Sequence, residues 1–160
     1  REGAMLEASP RPRTPHREAF AASRRPWTVI LKDLLSPEAL LERARAVAAR
    51  AHAPHSGLRV GAVAEGARGG LHDGVNVESS SYGVSLCAER AALARAVTED
   101  DRPVRVAVAR ADGAPIAPCG ACRQALAEFG LGLRVVYLTP SGPAERTVGE
   151  LLPDAFLMDP

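Results

Sequence analysis

The chain has 160 residues, of which 46% are hydrophobic, and a formal net charge of +1 at pH 7. This size and composition predict one globular domain with a substantial core. A charge so close to zero disfavours an extended nucleic-acid surface, which normally shows a strong basic excess. No apolar run approaches the ~20 residues of a membrane-spanning helix. Three cysteines, an odd number, disfavour a secreted disulfide framework, so we expect a cytoplasmic protein without membrane contact.

The first part of the chain differs in composition from the rest. Residues 1–26 are rich in arginine and proline and poor in apolar residues, which is typical of a disordered arm. We predict an arm-like extension over residues 1–35 and one folded domain over residues 36–160. A basic arm could bind nucleic acid, but a solvated tail is the favoured interpretation.

The first predicted element is a helix with Ser36 as its N-cap and Pro37 at its first position. Apolar residues recur along one face of this helix, at Leu40, Leu41, Ala44, Val47 and Ala48. Pro54 is expected to end the helical segment. Alternation over residues 58–64 predicts a strand. A glycine-rich turn and a second strand over residues 71–77 complete a hairpin.

Two further helices are predicted over residues 87–97 and 119–129, the second of them closed by Gly130. Strands are predicted over residues 104–108 and 133–138. A short fifth strand within residues 139–148 and a helical turn over residues 148–152 follow. The order α-β-β-α-β-α-β predicts an α/β fold with a mixed sheet covered by helices.

Three cysteines lie at the starts of the second and third predicted helices. Cys87 opens the run Cys-Ala-Glu-Arg, and Cys119 and Cys122 belong to the run Pro-Cys-Gly-Ala-Cys. Three thiolates can hold one zinc ion and leave its fourth position open for water, which is typical of a catalytic site. The free N–H groups at a helix N-terminus favour thiolates, so we expect lowered pKa values for these thiols.

An acidic residue follows the first cysteine at a distance of two positions. Glu89 stands where it can carry protons for water at the open zinc position. The whole pattern matches the general signature of zinc-dependent base deaminases, in which the first ligand is His or Cys. Arg90 and Arg123 each directly follow a residue of this group. We therefore expect both arginines to donate hydrogen bonds to ligand sulfurs.

Two other uses of the cysteines remain open. Cys119 and Cys122 alone could form a redox dithiol, and His55 or His72 could complete a structural zinc site. A redox pair would have no use for the first cysteine, and a structural site would leave the acidic residue without a role. Catalytic zinc is therefore the favoured interpretation.

Two polar residues close the second predicted strand. Asn76 and Glu78 fall on one face by alternation, and an amide with a carboxylate suits the vicinal hydroxyls of a sugar. The alternative, that both side chains simply face solvent, is equally compatible with their spacing. Tyr82, which Gly83 follows, and Phe156 have the same ambiguity between core packing and base stacking.

Taken together, these motifs resemble the small homotetrameric cytidine deaminases of the three-cysteine zinc type. The resemblance covers residues 36 to 156 in the family's order, and its motifs are Val60-Gly61-Ala62, Asn76-Val77-Glu78, Cys87-Ala88-Glu89-Arg90, residues 118–124 and residues 151–156. It implies a three-layer α/β/α fold with a mixed central sheet. It also implies hydrolysis of cytidine and 2′-deoxycytidine in pyrimidine salvage, one zinc ion per subunit, and a homotetramer with shared sites.

The resemblance also implies roles for single positions. The zinc ligands are Cys87, Cys119 and Cys122, and the catalytic residue is Glu89. Asn76 and Glu78 bind the ribose, and the backbone of Ala88 contacts the base. Phe156 reaches the site of a neighbouring subunit. The residues expected around the ligands are Arg90, Arg123 and Gln124.

One segment departs from the family pattern. The family's usual Ala-Tyr-x-Pro-Tyr-Ser-x-Phe has His52, His55 and Leu58 here in place of two tyrosines and the phenylalanine. Leu58, expected at the nucleoside pocket, leaves more room than phenylalanine. A modified cytosine nucleoside, such as a nucleoside antibiotic, is therefore the alternative substrate.

Two alternatives involve nucleic acid. One is a zinc-stabilised nucleic-acid-binding module without catalysis, and the other is a deaminase of single-stranded nucleic acid. A strand-binding groove normally combines basic charge with stacking aromatic side chains. Residues 36–160 show no such stripe, so we expect a small-molecule nucleoside as the partner rather than nucleic acid.

Overall fold

The computed structural model describes residues 34–158, in which five strands form one mixed sheet of order β2-β1-β3-β4-β5. The strands are β1 (Val60–Gly66), β2 (Leu71–Val75), β3 (Pro103–Arg110), β4 (Arg134–Thr139) and β5 (Gly142–Thr147). The helices are α1 (Pro37–Ala48), α2 (Ala88–Thr98), α3 (Gly120–Ala127) and the single turn α4 (Val148–Leu151). β3 and β4 are parallel, and the other neighbouring strands are antiparallel.

Helices cover both faces of this sheet. On one face, α1 packs through Leu40 and Ala44 against a cluster that includes Val63 and Val136. On the other face, α2 and α3 pack on a larger cluster that includes Val106. The predicted three-layer arrangement around a mixed sheet is confirmed. Because both faces are covered, all seven residues of β1 are buried.

Two glycines allow the helices to approach the sheet closely. A Cβ atom at Gly61 would lie 2.1 Å from the carbonyl oxygen of Ala44 in α1. A Cβ atom at Gly74 would lie 2.3 Å from the backbone nitrogen of Ala92 and 2.5 Å from the carbonyl oxygen of Ala88 in α2. Gly74 therefore sets the position of the helix that begins beside Cys87.

The start of α1 is as predicted, and its end is not. Ser36 Oγ accepts a hydrogen bond from the backbone N–H of Ala39 at 3.2 Å, which confirms Ser36 as the N-cap. The helix ends at Ala48 rather than near Pro54, because the chain then pairs with the segment after β2. In this pairing the His52 N–H donates to the Asn76 carbonyl at 3.1 Å.

The second strand is also shorter than predicted, because the residues that follow it pair with another segment. β2 ends at Val75, not at residue 77, and Val77 pairs instead with Leu86 through two backbone hydrogen bonds of 2.9 Å. Between these two residues lies a short 3₁₀ helix, Tyr82–Val84, which the sequence did not predict. The loop thus returns directly to the start of α2.

A buried ion pair joins β1 to β3. Arg105 Nε donates to Glu65 Oε2 at 2.8 Å, and both side chains are almost fully buried. The pair also holds the backbone of Leu35, whose N–H donates to Glu65 Oε1 at 2.9 Å and whose carbonyl accepts from Arg105. Leu35, the last residue of the predicted arm, is therefore attached to the sheet. The rest of that arm, up to residue 33, lies outside the described residues.

None of the helices within residues 34–158 combines the length and the apolar character that crossing a membrane requires.

Candidate metal centre and active site

The three cysteines converge between the starts of two helices. Their sulfur atoms all lie within 4.8 Å of one another, and the Sγ atoms of Cys87 and Cys119 are 3.9 Å apart. Cys87 is the N-cap of α2 and Cys119 is the N-cap of α3, and neither thiol accepts a capping hydrogen bond. Cys122 lies in the first turn of α3 and is buried. All three are free thiols.

This arrangement fits a zinc ion. Tetrahedral zinc with Zn–S bonds of about 2.3 Å places its sulfur ligands about 3.8 Å apart, close to the observed separation. Thiolates are also among the soft ligands that select zinc. Three protein ligands leave a fourth position for water or substrate, as in catalytic rather than structural sites.

The structure argues against histidine as a fourth ligand. The ring nitrogens of the buried His72 lie 3.0 Å from Glu99 Oε2 and 3.1 Å from Asp101 Oδ2. Both nitrogens are thus engaged by carboxylates. His55 does not belong to the group of ligand atoms around the thiols in the described part of the chain.

The thiols differ in their ionisation. Burial raises the pKa of Cys87, and burial with the nearby charges of Glu89 and Cys87 raises the pKa of Cys122. Burial also acts on Cys119, but hydrogen bonds from Cys122 and Cys87 bring its pKa below the usual value. The expected lowering is therefore right for Cys119 and wrong for the other two, because burial outweighs the effect of the helix ends. Three thiolates beside a carboxylate need a cation among them.

Glu89 lies in the first turn of α2 and is only 4% exposed. Burial raises the pKa of its carboxyl group, while hydrogen bonding to its own backbone and to Cys122 acts in the opposite direction. The contact with Cys122 places the carboxyl group beside the thiol cluster. A carboxyl group whose pKa is shifted towards neutrality is suited to accept and release protons.

Arg90 lies beside the cluster as expected. Its Nη2 atom is 4.0 Å from Cys87 Sγ and also donates to the Ser85 carbonyl at 2.9 Å. The interaction with Cys87 raises the pKa of the guanidinium group. The positive charge of Arg90 therefore lies next to a thiol that would be negative in a metal site.

Arg123 has different partners from those expected. Its guanidinium group donates to the carbonyl oxygens of Pro118 and Leu151, each at 2.9 Å, rather than to a ligand sulfur. Pro118 directly precedes Cys119, so Arg123 acts on the backbone that carries the ligand. It also ties α4 to the start of α3.

Gln124, in α3, holds Phe156 near the C-terminal end of the described residues. Its side-chain amide donates to the Phe156 carbonyl at 2.6 Å and accepts from the Phe156 N–H at 3.2 Å. The aromatic side chain of Phe156 remains 73% exposed. Phe156 does not line the cavity beside the thiols of its own chain.

A cavity of about 390 Å³ opens next to Cys87. Its lining consists of His55, Ser56, Asn76, Val77, Glu78, Tyr82, Ser85, Leu86 and Cys87. Pockets of roughly 300–1,000 Å³ are typical of small-molecule sites. The position of Cys87 in this wall means that a molecule in the cavity would meet the thiol cluster.

Asn76 and Glu78 both line this cavity, and both are partly occupied by the protein itself. Asn76 Oδ1 accepts from the Val60 N–H at 2.8 Å, and Nδ2 donates to the Leu58 carbonyl at 2.9 Å. This leaves one N–H of the amide free to donate to a ligand hydroxyl. The two side chains were predicted to share a face, and they do share a cavity.

Glu78 holds the loop before β1. Its Oε2 accepts from the backbone N–H groups of His55 at 2.9 Å and Ser56 at 3.2 Å, and Oε1 accepts from the Ser56 hydroxyl. The Ser56 hydroxyl and the His55 N–H are the main causes that lower the pKa of Glu78. A carboxylate accepts about four hydrogen bonds, so one site remains for a ligand.

The other two predicted substrate contacts lie at different depths. Ala88 is fully buried as the first residue of α2, where a backbone N–H has no partner within the helix. The Leu58 side chain is 38% exposed and does not line the cavity, although its carbonyl holds Asn76.

Ser56 lines the cavity and was missed by the sequence analysis. Ser56 is bound to a carboxylate 22 residues away, and no local pattern reveals such a partner. The rings of His55 and Tyr82 meet edge to face with centroids 6.4 Å apart, and Tyr82 is 80% exposed. The sequence analysis named both residues, His55 as a departure from the family pattern and Tyr82 as ambiguous between core packing and base stacking. The exposure of Tyr82 is incompatible with packing in the core of its own chain.

Comparison with known proteins gives a consistent family. Residues 35–139 match the cytidine and deoxycytidylate deaminase zinc-binding region. A cytidine deaminase from Sporosarcina psychrophila is 39% identical over 122 residues, which cover 74% of this chain and 90% of that protein. The crystal structure of cytidine deaminase from Burkholderia pseudomallei has a TM-score of 0.70 and 42% identity, covering 76% of this chain and 100% of that chain. The structure from Mycobacterium tuberculosis has a TM-score of 0.70 and 37% identity, covering 78% and 100%.

Proposed function

This chain belongs to the cytidine and deoxycytidylate deaminase family, and on that basis we propose that it hydrolyses cytidine and 2′-deoxycytidine to uridine and 2′-deoxyuridine. One water molecule is consumed and one ammonia molecule is released per turnover. The observation that carries the proposal is the position of the buried Glu89 beside three converging thiols, next to a cavity of nucleoside size. Such a reaction serves pyrimidine salvage.

The thiols and the carboxyl group have separate tasks. Cys87, Cys119 and Cys122 would hold a zinc ion, which would supply the Lewis acidity that activates water for attack at C4 of the cytosine ring. Glu89 takes one proton from water and delivers it to N3. It then takes the proton that remains on the attacking oxygen and delivers it to the departing amino group, which leaves as ammonia. Burial raises the pKa of Glu89, which favours the protonated form that acts as the acid.

The polar pair in the cavity orients the sugar. Asn76 offers one N–H, and Glu78 offers one remaining acceptor site, so together they suit neighbouring hydroxyl groups of a ribose. The base then points towards Cys87, where the backbone N–H of Ala88 at the start of α2 can contact it. We propose these contacts for substrate binding, with Arg90 and Arg123 supporting the ligands.

Exposed apolar residues support assembly. Three of the cavity-lining residues are exposed apolar or aromatic groups, namely Val77, Tyr82 and Leu86. Leu58, Val84 and Phe156 are exposed as well. A second copy of the chain would cover such groups and place Phe156 at a neighbouring site. We propose a homotetramer with shared sites and one zinc ion per subunit. Free thiols also favour a reducing compartment, so we propose a cytoplasmic location.

The experiment that tests the proposal is a deaminase assay that follows ammonia release from cytidine, 2′-deoxycytidine, cytosine and a bulky cytosine nucleoside. We expect turnover of the first two and poor turnover of free cytosine. Sites built to bind a hydroxyl reject analogues that lack it by up to ~10⁴–10⁵. If cytosine were the best substrate, the sugar contacts would be wrong. Preference for the bulky nucleoside would instead favour the modified substrate suggested by Leu58.

A further inference from the structure

Gln124 holds the backbone of Phe156 with both ends of its side-chain amide. Nε2 donates to the Phe156 carbonyl at 2.6 Å, and Oε1 accepts from the Phe156 N–H at 3.2 Å. One side chain thus satisfies both backbone groups of one residue, as a neighbouring strand would do. Since the two residues are 32 positions apart, no local structure produces this contact.

The segment around Phe156 is anchored, while its ring is not covered. Ala155 packs against the main core cluster, and Arg123 holds the Leu151 carbonyl at 2.9 Å. Yet the Phe156 side chain is 73% exposed. The fold therefore holds the backbone and presents the ring outwards. A rigid, exposed aromatic ring is the kind of group that anchors a contact with another protein surface.

We propose that Gln124 is a positioning residue, which sets the place of Phe156 for insertion into the active site of a second copy of the chain. This inference rests on the shared-site assembly proposed above. Gln124 acts through Phe156 and does not itself line the cavity beside Cys87. Because α3 also carries Cys119 and Cys122, one helix fixes two ligands of its own site and the aromatic group offered to another.

The side-chain chemistry suits this task. An amide carries a donor and an acceptor in one plane, so it can pair with an N–H and a C=O at the same time. Methionine has a similar length and volume but neither group. The variant Gln124→Met therefore removes both hydrogen bonds while disturbing the packing little. Glu128, exposed just after the same helix, offers the matched control Glu128→Ala.

Steady-state kinetics on the full chain with bound zinc tests the proposed route. We expect Gln124→Met to raise KM for cytidine about tenfold, the scale of losing one to two hydrogen bonds, with kcat within about twofold. Phe156→Ala should raise KM at least as much. In the double variant Gln124→Met/Phe156→Ala, the KM should be less than about twofold above that of Phe156→Ala alone. The effects of two residues that act through one contact are not additive. The zinc content of every variant should match that of the unmodified chain. The KM and kcat of Glu128→Ala should also be those of the unmodified chain.

The possible results for the two single variants and the double variant lead to different conclusions. An equal rise of KM in both backgrounds would overturn the inference, because Gln124 would then act by another route. A rise with Phe156→Ala but none with Gln124→Met would also overturn it and leave the shared site standing. No effect of Phe156→Ala would overturn the shared site, and the inference with it.

Hydrogen exchange tests the contact without any need for activity. In the unmodified chain the Phe156 amide should be protected, since its N–H is bound to Gln124. We expect Gln124→Met to speed its exchange about tenfold or more, and Glu128→Ala to leave it unchanged. Equal exchange in the unmodified chain and in Gln124→Met would overturn the positioning role, whether or not the chain deaminates cytidine.

Discussion

The carboxylate of Glu78 binds Ser56 twice, through the serine hydroxyl at Oε1 and through the backbone N–H at Oε2, 3.2 Å away. This contact fastens the loop before β1 to the segment after β2, and both residues line the cavity. The orientation of Glu78 therefore depends on Ser56. A residue that sequence reasoning did not select is thus part of the site's support.

We predict that Ser56→Ala weakens substrate binding. Without the hydroxyl donor, Glu78 is less well oriented, and KM for cytidine should rise about three- to tenfold with kcat nearly unchanged, as expected for one hydrogen bond. Ser141→Ala, in the exposed turn between β4 and β5, is the control. Unchanged KM in Ser56→Ala with altered kcat would contradict a supporting role in binding.

Zinc binding should release protons. Burial raises the pKa of Cys87 and Cys122, so both thiols are protonated near neutral pH until a metal replaces the protons. We therefore expect zinc added to the metal-free chain at pH 7 to release about two to three protons per ion, and zinc affinity to fall as pH is lowered. Titration in a weak buffer with a pH indicator measures this. Affinity independent of pH would exclude thiolate ligation.

Substitution of Gly74, the glycine of β2 on which α2 packs, should lower the stability of the fold. A methyl group from Gly74→Ala would meet the backbone of Ala88 and Ala92, and such overpacking costs about 1–3 kcal/mol. The thermal midpoint should fall by roughly 4–10 °C. Gly132→Ala is the matched control, because a Cβ atom there meets nothing within 4 Å. Equal midpoints for both variants would show that α2 does not rest on Gly74.

The amino-terminal arm is predicted to be dispensable for chemistry. Deletion of residues 1–26 should leave kcat/KM for cytidine within about twofold, because the proposed site lies within residues 55–124 and Phe156. The deletion keeps Leu35, which the buried Glu65–Arg105 pair holds. A large loss of activity on free nucleosides, with zinc content unchanged, would show that the arm belongs to the site.

The parts of this structure that sequence reasoning could reach are those with local causes. Ser36 caps α1 through a residue three positions away, and Cys87 and Cys119 start helices that their own neighbourhoods encode. The contact of Arg123 with Leu151 and the pair Glu65–Arg105 span 28 and 40 positions, and no periodicity reveals them.

The early end of β2 also results from a contact that the local sequence pattern does not reveal. The pattern over residues 71–77 continues as a strand, but Val77 pairs with Leu86 and not with β1. That pairing depends on the loop through Tyr82–Val84, which has no apolar face to predict it. Asn76 and Glu78 were therefore identified as a pair, while the protein groups that hold them were not.

The most direct measurement is the turnover of Glu89→Gln compared with its zinc content. Glutamine keeps the size of the side chain but cannot shuttle protons, and positioned acid–base catalysis contributes at least about 10²–10⁴-fold. We predict about one zinc ion per chain, an unchanged fold, and a kcat for cytidine reduced by that factor or more. A variant that bound zinc and deaminated cytidine at close to the original rate would contradict the role of Glu89 and the mechanism built on it.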